Sequence, residues 1–430
     1  MKPDSFFIKT SCIDKYTQAD SKTSVIDFTI GLENSLWRNR DFYQLNYTPM
    51  LVDLYRLASA VYIADKRVPR NKSYDGWTRD IFIQLPVSDL NLWQKNIETI
   101  NKLCSFLTGD HWKIAFTKDQ STPPNKDESV AKKGHSLNAN AASLFSGGLD
   151  SFIGTADHLN SSSSLALIAH YDHGITSKIQ ENVFNKLKDH YKPKELELIQ
   201  FFIQVKQVQE NTTRSRSFLF LSLGTLVAAS TSVKNLIVPE NGFISLNVPL
   251  TYGRFGSLST KTTHPYSLKL FNNLLKDLGI NVNVIDPYQF KTKGEMIADS
   301  KDIELIKAVG AETMSCAHAT AGRWDGHSPN KHCGYCLPCL IRRAAFHKND
   351  CDSKNDYVYD VLEKDYLKRG GKKTADLQAI LHSTERYKTA SSRTSVLRTG
   401  PICPSAKIDD FCRVYDNGIK ELKEFLGIND

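Results

Sequence analysis

Six residues of this chain, Ser146-Gly147-Gly148-Leu149-Asp150-Ser151, have the types and spacing to hold a phosphate. A short apolar run from Ala141 to Phe145 leads into them, and a helical pattern through Ile153, Ala156 and Leu159 follows. Strand, glycine turn and helix start together present free backbone N–H groups to an anion. Two adjacent glycines allow close approach and positive φ. Ser146 and Ser151 add hydroxyls, and the helix dipole adds partial positive charge. The Gly-Lys-Ser/Thr of a Walker-A loop is absent. Asp150 follows the glycines, which suits a helix cap or a Mg²⁺ ligand better than a base.

Cys333, Cys336 and Cys339 form a second constellation, with Cys316 upstream, in a chain of nine cysteines. In a reducing compartment this spacing reads as metal binding before disulfides. Four thiolates close a tetrahedral zinc site of the structural kind. An iron–sulfur cluster and free thiols are the alternatives, and His318, His327 and His332 compete for the fourth ligand position.

Several charged residues are candidates to act beside the loop. Arg214 and Arg216 precede an apolar helix, Lys293 opens another, and Arg342 and Arg343 follow Cys339. Cations so placed could neutralise a leaving pyrophosphate, or face solvent. Glu240-Asn241-Gly242, at a strand end, offers a carboxylate and an amide to a substrate's polar edge, or forms an Asn-Gly turn.

These groups need a frame. From Ala141 onward the pattern predicts strands at 165–171, 196–205, 236–238 and 282–285, alternating with helices at 177–190, 218–230 and 265–278. Near-continuous apolar strands separated by helices predict a parallel sheet covered on both faces. Ligands on such sheets sit at the carboxyl ends of the strands. That rule gathers Ser146–Ser151, 171–174, 240–242 and 286–287 on one rim.

Residues 1–118 read as a separate α+β binding or scaffold unit. Its strands are expected at 24–32, 79–87 and 112–117, and its helices at 55–65 and 90–107. Residues 119–140 read as a linker, residues 141–350 as the central α/β domain with the cysteine segment, and residues 351–430 as a helical C-terminal extension. In that extension helices are expected at 357–367, 375–387 and 408–426, with a flexible connection over 389–401. The composition, 40% hydrophobic and 24% charged, is that of a globular chain. No stretch is apolar enough to span a membrane, and the first residues lack a signal-peptide core. Cytoplasmic placement is the resulting expectation. A net charge of +8 permits nucleic-acid contact without requiring it, and nucleic acid is not the expected partner.

In this order the pieces resemble the 7-cyano-7-deazaguanine synthase (QueC-like) family of PP-loop ATP pyrophosphatases. The resemblance rests on SGGLDS at 146–151, Arg216, TKGE at 292–295, and Cys316 with CGYCLPCLIR at 333–342. It also includes YDHG at 171–174, where the family usually has YGQ. The resemblance implies ATP-dependent adenylation of a deazapurine carboxylate, attack by an amine, and the cofactors ATP, Mg²⁺ and Zn²⁺. Ser146, Gly147, Gly148, Leu149, Asp150, Ser151 and Tyr171 would hold the nucleotide. Ser146, Asp150, Lys293 and Arg216 would assist catalysis, and Glu240, Asn241 and Arg342 would meet the substrate. Cys316, Cys333, Cys336 and Cys339 would hold zinc. The added N- and C-terminal regions resemble the layout of the QueC-like component of Qat anti-phage operons. That layout implies a protein partner bound through residues 1–118 and a protein amine in place of ammonia. A catalytically silent nucleotide-binding scaffold and a tRNA-modifying PP-loop enzyme are the other readings.

Overall fold

The computed structural model describes residues 6–9, 24–27, 31–119, 124–161, 164–251, 261–319, 321 and 331–429. The central sheet contains β6 (Ala142–Leu144), β7 (Ser164–Tyr171), β8 (Glu195–Val205), β9 (Asn235–Ile237) and β10 (Asn283–Ile285). Its spatial order is β10-β9-β6-β7-β8, all parallel, with β3 (Leu32–Asn34) added antiparallel beside β8. The chain therefore leaves β6 toward β7 and later returns to lay β9 on the opposite side. The carboxyl ends of β6 and β9 flank a topological switch point, where open α/β sheets leave a ligand crevice.

Both faces of the sheet are covered, as its apolar strands require. Along β7, Leu165 and Leu167 pack with helices Leu149–Ser161 and Gly174–His190, while Ala166 and Ile168 pack with helices Arg216–Ser230 and Pro265–Asp277. Helix Arg216–Ser230 is apolar around its whole circumference, because it lies between the central sheet and the N-terminal unit.

The N-terminal unit differs from expectation in two ways. Its strands β1 (Phe6–Lys9), β2 (Ser24–Asp27), β4 (Asp80–Val87) and β5 (His111–Lys118) form a sheet in the order β2-β1-β4-β5, and every pairing is parallel. This is α/β rather than α+β architecture, with helices Leu90–Lys95 and Ile97–Thr108 forming the β4–β5 crossover. Nor is the unit separate. Helix Pro49–Arg67 packs on both β4 and helix Arg216–Ser230, β3 extends the central sheet, and one apolar cluster runs through both regions.

Within 119–140, helix Glu128–Ala131 is docked by the Asp127 amide donating to Asp41. Residues 357–367 form turns rather than a helix, with only a 3₁₀ turn beginning at Tyr366. The expected flexible stretch 389–401 instead contains helix Ser392–Leu397, tied to Asp416 through Ser392. Helix Ile408–Leu426 packs on helix Leu337–Lys348 and on the short helix Gly242–Leu246, so the extension shares a core with the cysteine segment. Among the described residues no helix is long and apolar enough to cross a membrane.

Candidate nucleotide and metal site

The Ser146–Ser151 loop sits at the carboxyl end of β6. Gly147 has φ +78°, and a side chain there would also meet Gln180. The Gly148 N–H donates to Ser146 Oγ at 3.2 Å, and the Leu149 N–H donates to Ser315 Oγ at 3.2 Å. Ser151 Oγ donates to the Gly148 carbonyl at 2.9 Å and lies 3.3 Å from Ser146 Oγ. Two successive amides at the start of helix Leu149–Ser161 are thus held by hydroxyls that a phosphate oxygen can replace or join. Ser146 is exposed, whereas Leu149 contributes only its backbone because its side chain is buried.

Across the switch point lies a buried acidic group. Asp150 pairs with Lys293 Nζ and accepts from Asn241 Nδ2 at 2.7 Å and Asn241 N at 3.2 Å. Burial alone would raise the Asp150 pKa, but Lys293 and the hydrogen bonds hold it below the usual carboxylate range. Glu240 hydrogen-bonds the Asp150 carboxylate, and burial and then that neighbouring charge push its pKa well up. Asp286 is also raised, chiefly by burial. Its Oδ1 accepts from the Tyr288 N–H at 2.9 Å. Lys293 is delivered by a capping box, in which Thr292 accepts from the Glu295 N–H and Glu295 accepts from the Thr292 N–H. Glu421, on the C-terminal helix, accepts from Thr292, from Gly294 N at 3.3 Å and from Lys348 Nζ at 2.9 Å.

Arg216 lies beyond the end of β7. Its Nε donates to His170 Nδ1 at 3.0 Å, and the other ring nitrogen of His170 faces the Ile203 carbonyl at 3.2 Å. Burial, with the Arg216 charge, lowers the His170 pKa to about 3, so the imidazole is neutral and accepts from the guanidinium. Tyr171 is partly exposed on the same rim, its ring 5.4 Å from that of Phe202.

Two residues expected to meet substrate serve instead as supports. Arg342 is fully buried, donating to Thr313 Oγ1 at 2.8 Å and to the Gly310 carbonyl, with its guanidinium over Phe346. Sequence placed it correctly on a helix after Cys339, but that helix turns it into the core. Asn241 is also buried: its Oδ1 caps Ile244 N at 3.0 Å while its Nδ2 holds Asp150. Both amide atoms are engaged within the protein. Glu240 alone of the three stays partly exposed at the rim.

The four cysteine sulfurs of Cys316, Cys333, Cys336 and Cys339 lie within 4.8 Å of one another. Cys316–Cys336 is 3.9 Å and Cys333–Cys339 is 3.8 Å. A tetrahedron of sulfurs ~2.3 Å from zinc has edges of about 3.8 Å, so the residues present fit that ion. His332 Nδ1 is 4.0 Å from Cys339 Sγ, and its Nε2 bonds the Thr313 carbonyl at 2.8 Å, which makes it a brace beside the cluster. His318 stacks on Tyr335. His327 lies outside the described residues.

Ser315, Gln180 and Glu421 are the site residues that sequence reasoning missed, whereas 286–287 was expected on the rim. Only Ser315 had a nearby signal, as the neighbour of Cys316. A cavity of about 600 Å³ is walled by Trp77, Arg214, Phe243, Val248, His318 and Ile341 among others.

No curated protein matches this chain. Residues 263–350 match the family model described as queuosine biosynthesis protein QueC. That stretch carries Lys293, Ser315, Arg342 and all four cysteines, and the chain is similar to the QueC family over it.

Proposed function

We propose that this protein is an ATP-using enzyme of QueC type that adenylates a carboxylate, releases pyrophosphate and passes the acyl group to an amine. The observation that carries this reading is the Ser146–Ser151 loop, whose two successive amides are held by serine hydroxyls and whose Asp150 pairs with Lys293. Loop amides and hydroxyls bind the phosphates. Lys293 and Arg216 offset charge developing on the leaving pyrophosphate, a role of positioning and electrostatics rather than covalent chemistry. Asp150 keeps Lys293 aimed at the rim. Mg²⁺ accompanying ATP would be held by Glu240 beside Asp150, supplying charge neutralisation where carboxyl groups outnumber cations. Zinc in the Cys316, Cys333, Cys336 and Cys339 cluster would act structurally, since four thiolates leave no open position.

The cavity walled by Arg214, Phe243 and His318 is of a size that takes a small organic acid, and a deazapurine carboxylate is the substrate in this reading. The amine is ammonia or belongs to a protein partner that docks on the N-terminal unit in an anti-phage assembly. Sulfur transfer is the less favoured chemistry, because burial raises the thiol pKa values of Cys104, Cys351 and Cys412. The test is incubation with ATP, Mg²⁺ and 7-carboxy-7-deazaguanine, with and without ammonium or candidate partner proteins. AMP and pyrophosphate formed only when the acid is present support the reading. ATP bound but never cleaved with any acid would instead favour a nucleotide-sensing scaffold.

A further inference from the structure

The amides of Gly148 and Leu149 are consecutive, and each is held by a serine hydroxyl. Ser146 is local, whereas Ser315 arrives from 166 residues further along the chain. A Cβ built on Gly148 would lie 3.2 Å from both oxygens, so the two hydroxyls flank one point of the loop. A hydroxyl carries one proton and two acceptor sites. Ser315 Oγ uses an acceptor site on Leu149, and its own proton has no acceptor among the described residues. Ser315 is partly exposed at the rim.

Its position is tightly determined by its neighbours. The Thr313 hydroxyl accepts from Arg342, and the Thr313 carbonyl is bonded by His332. The Met314 N–H donates to the Gly147 carbonyl at 2.9 Å, and Cys316 belongs to the sulfur cluster. Residues 313–316 form a strap between that cluster and the loop.

We propose that Ser315 is a phosphate-contacting residue of the nucleotide site, accepting from the Leu149 N–H and donating its own proton to a nucleotide phosphate oxygen. This rests on the nucleotide-binding reading above. Ser315→Ala removes one hydrogen bond to a charged group, and the expected effect is an approximately tenfold rise in Kd for ATP. Affinity for adenosine, which has no phosphate, is expected to stay within about twofold, and zinc content is expected to be unchanged. Calorimetric titration of wild type, Ser315→Ala and Ser315→Cys with ATP and with adenosine tests this. The cysteine variant keeps the volume, donates only weakly, and is expected to move in the same direction. Either variant binding ATP as wild type does would overturn the assignment, as would equal losses for ATP and adenosine, which mark a structural role. Wild-type protein that binds neither ligand would overturn the nucleotide reading itself.

Discussion

Two buried charge clusters of this protein are built on opposite plans. In the N-terminal unit, Arg79 donates to Asp110 (3.0 and 2.5 Å) and to Asp65 (2.6 Å), and Arg70 grips Asp110 with two bonds (2.8 and 3.0 Å). Asp65 also accepts from Ser215 and Thr212, so the cluster pins the unit to the chain just before helix Arg216–Ser230. Two carboxylates meet two guanidiniums, and burial's upward push on the Asp110 pKa is outweighed by Arg79 and Arg70. At the rim, Asp150 pairs with Lys293, Glu240 also feels that cation, Asp286 adds a third carboxyl that feels the Asp150 charge, and two of the three carboxyls are pushed up. The balanced cluster is a structural clamp. The unbalanced one can be completed by a proton or a bound cation, which is the property expected of a ligand site.

The largest expected effect breaks the clamp. Arg79→Ala leaves Asp110 with Arg70 as its paired cation and takes from buried Asp65 its closest one, and should cost about 3–5 kcal/mol of unfolding free energy, read by urea denaturation. A loss below about 1 kcal/mol would show that solvent reaches the cluster. At the rim, Lys293→Met should slow pyrophosphate release by roughly 10²–10³-fold, as expected for loss of one preorganised electrostatic partner. Unchanged turnover would remove Lys293 from the mechanism.

The third variant is Glu421→Gln, which keeps the shape at the Thr292 cap and removes the charge facing Lys348. It should cost about 1 kcal/mol and lower Tm by a few degrees. A larger fall in pyrophosphate release than in stability would show that the C-terminal helix tunes Lys293 directly.

The smallest effect concerns pH. Asp110 is lowered, so its stabilisation is full above the ordinary carboxylate range and fades as pH falls through its depressed folded value. Glu240 and Asp286 are raised, so their contribution is full at acid pH and is lost as pH rises toward their folded values. Mg²⁺–ATP should therefore raise Tm more at pH 8 than at pH 5.5, by about 1–3 °C in thermal melts. The opposite order would mean that the nucleotide binds away from these carboxyls.

Much of the site was legible because its signals are local. Ser-Gly-Gly before a helix and Cys-x-x-Cys-x-x-Cys each constrain a few neighbouring bonds, and the four cysteines do converge. The roles of Arg342 and Asn241 were not legible. A one-dimensional pattern shows that a side chain lies on a helix or at a strand end, but not which neighbour it will meet. The roles of Ser315 and Glu421 went unread for the same reason, since their partners lie 166 and 129 residues away.

By itself, then, the sequence determined the glycine turn between strand and helix at Ser146–Ser151, the cysteine tetrad and the alternation that makes a parallel sheet, because these follow from spacing and backbone preference. Tertiary structure alone decided that β9 returns beside β6, that the N-terminal unit is parallel and shares its core with the central domain, and that the C-terminal helix braces Lys293. Those outcomes depend on which apolar faces bury one another and which charges find partners, and both are settled between segments far apart in the chain.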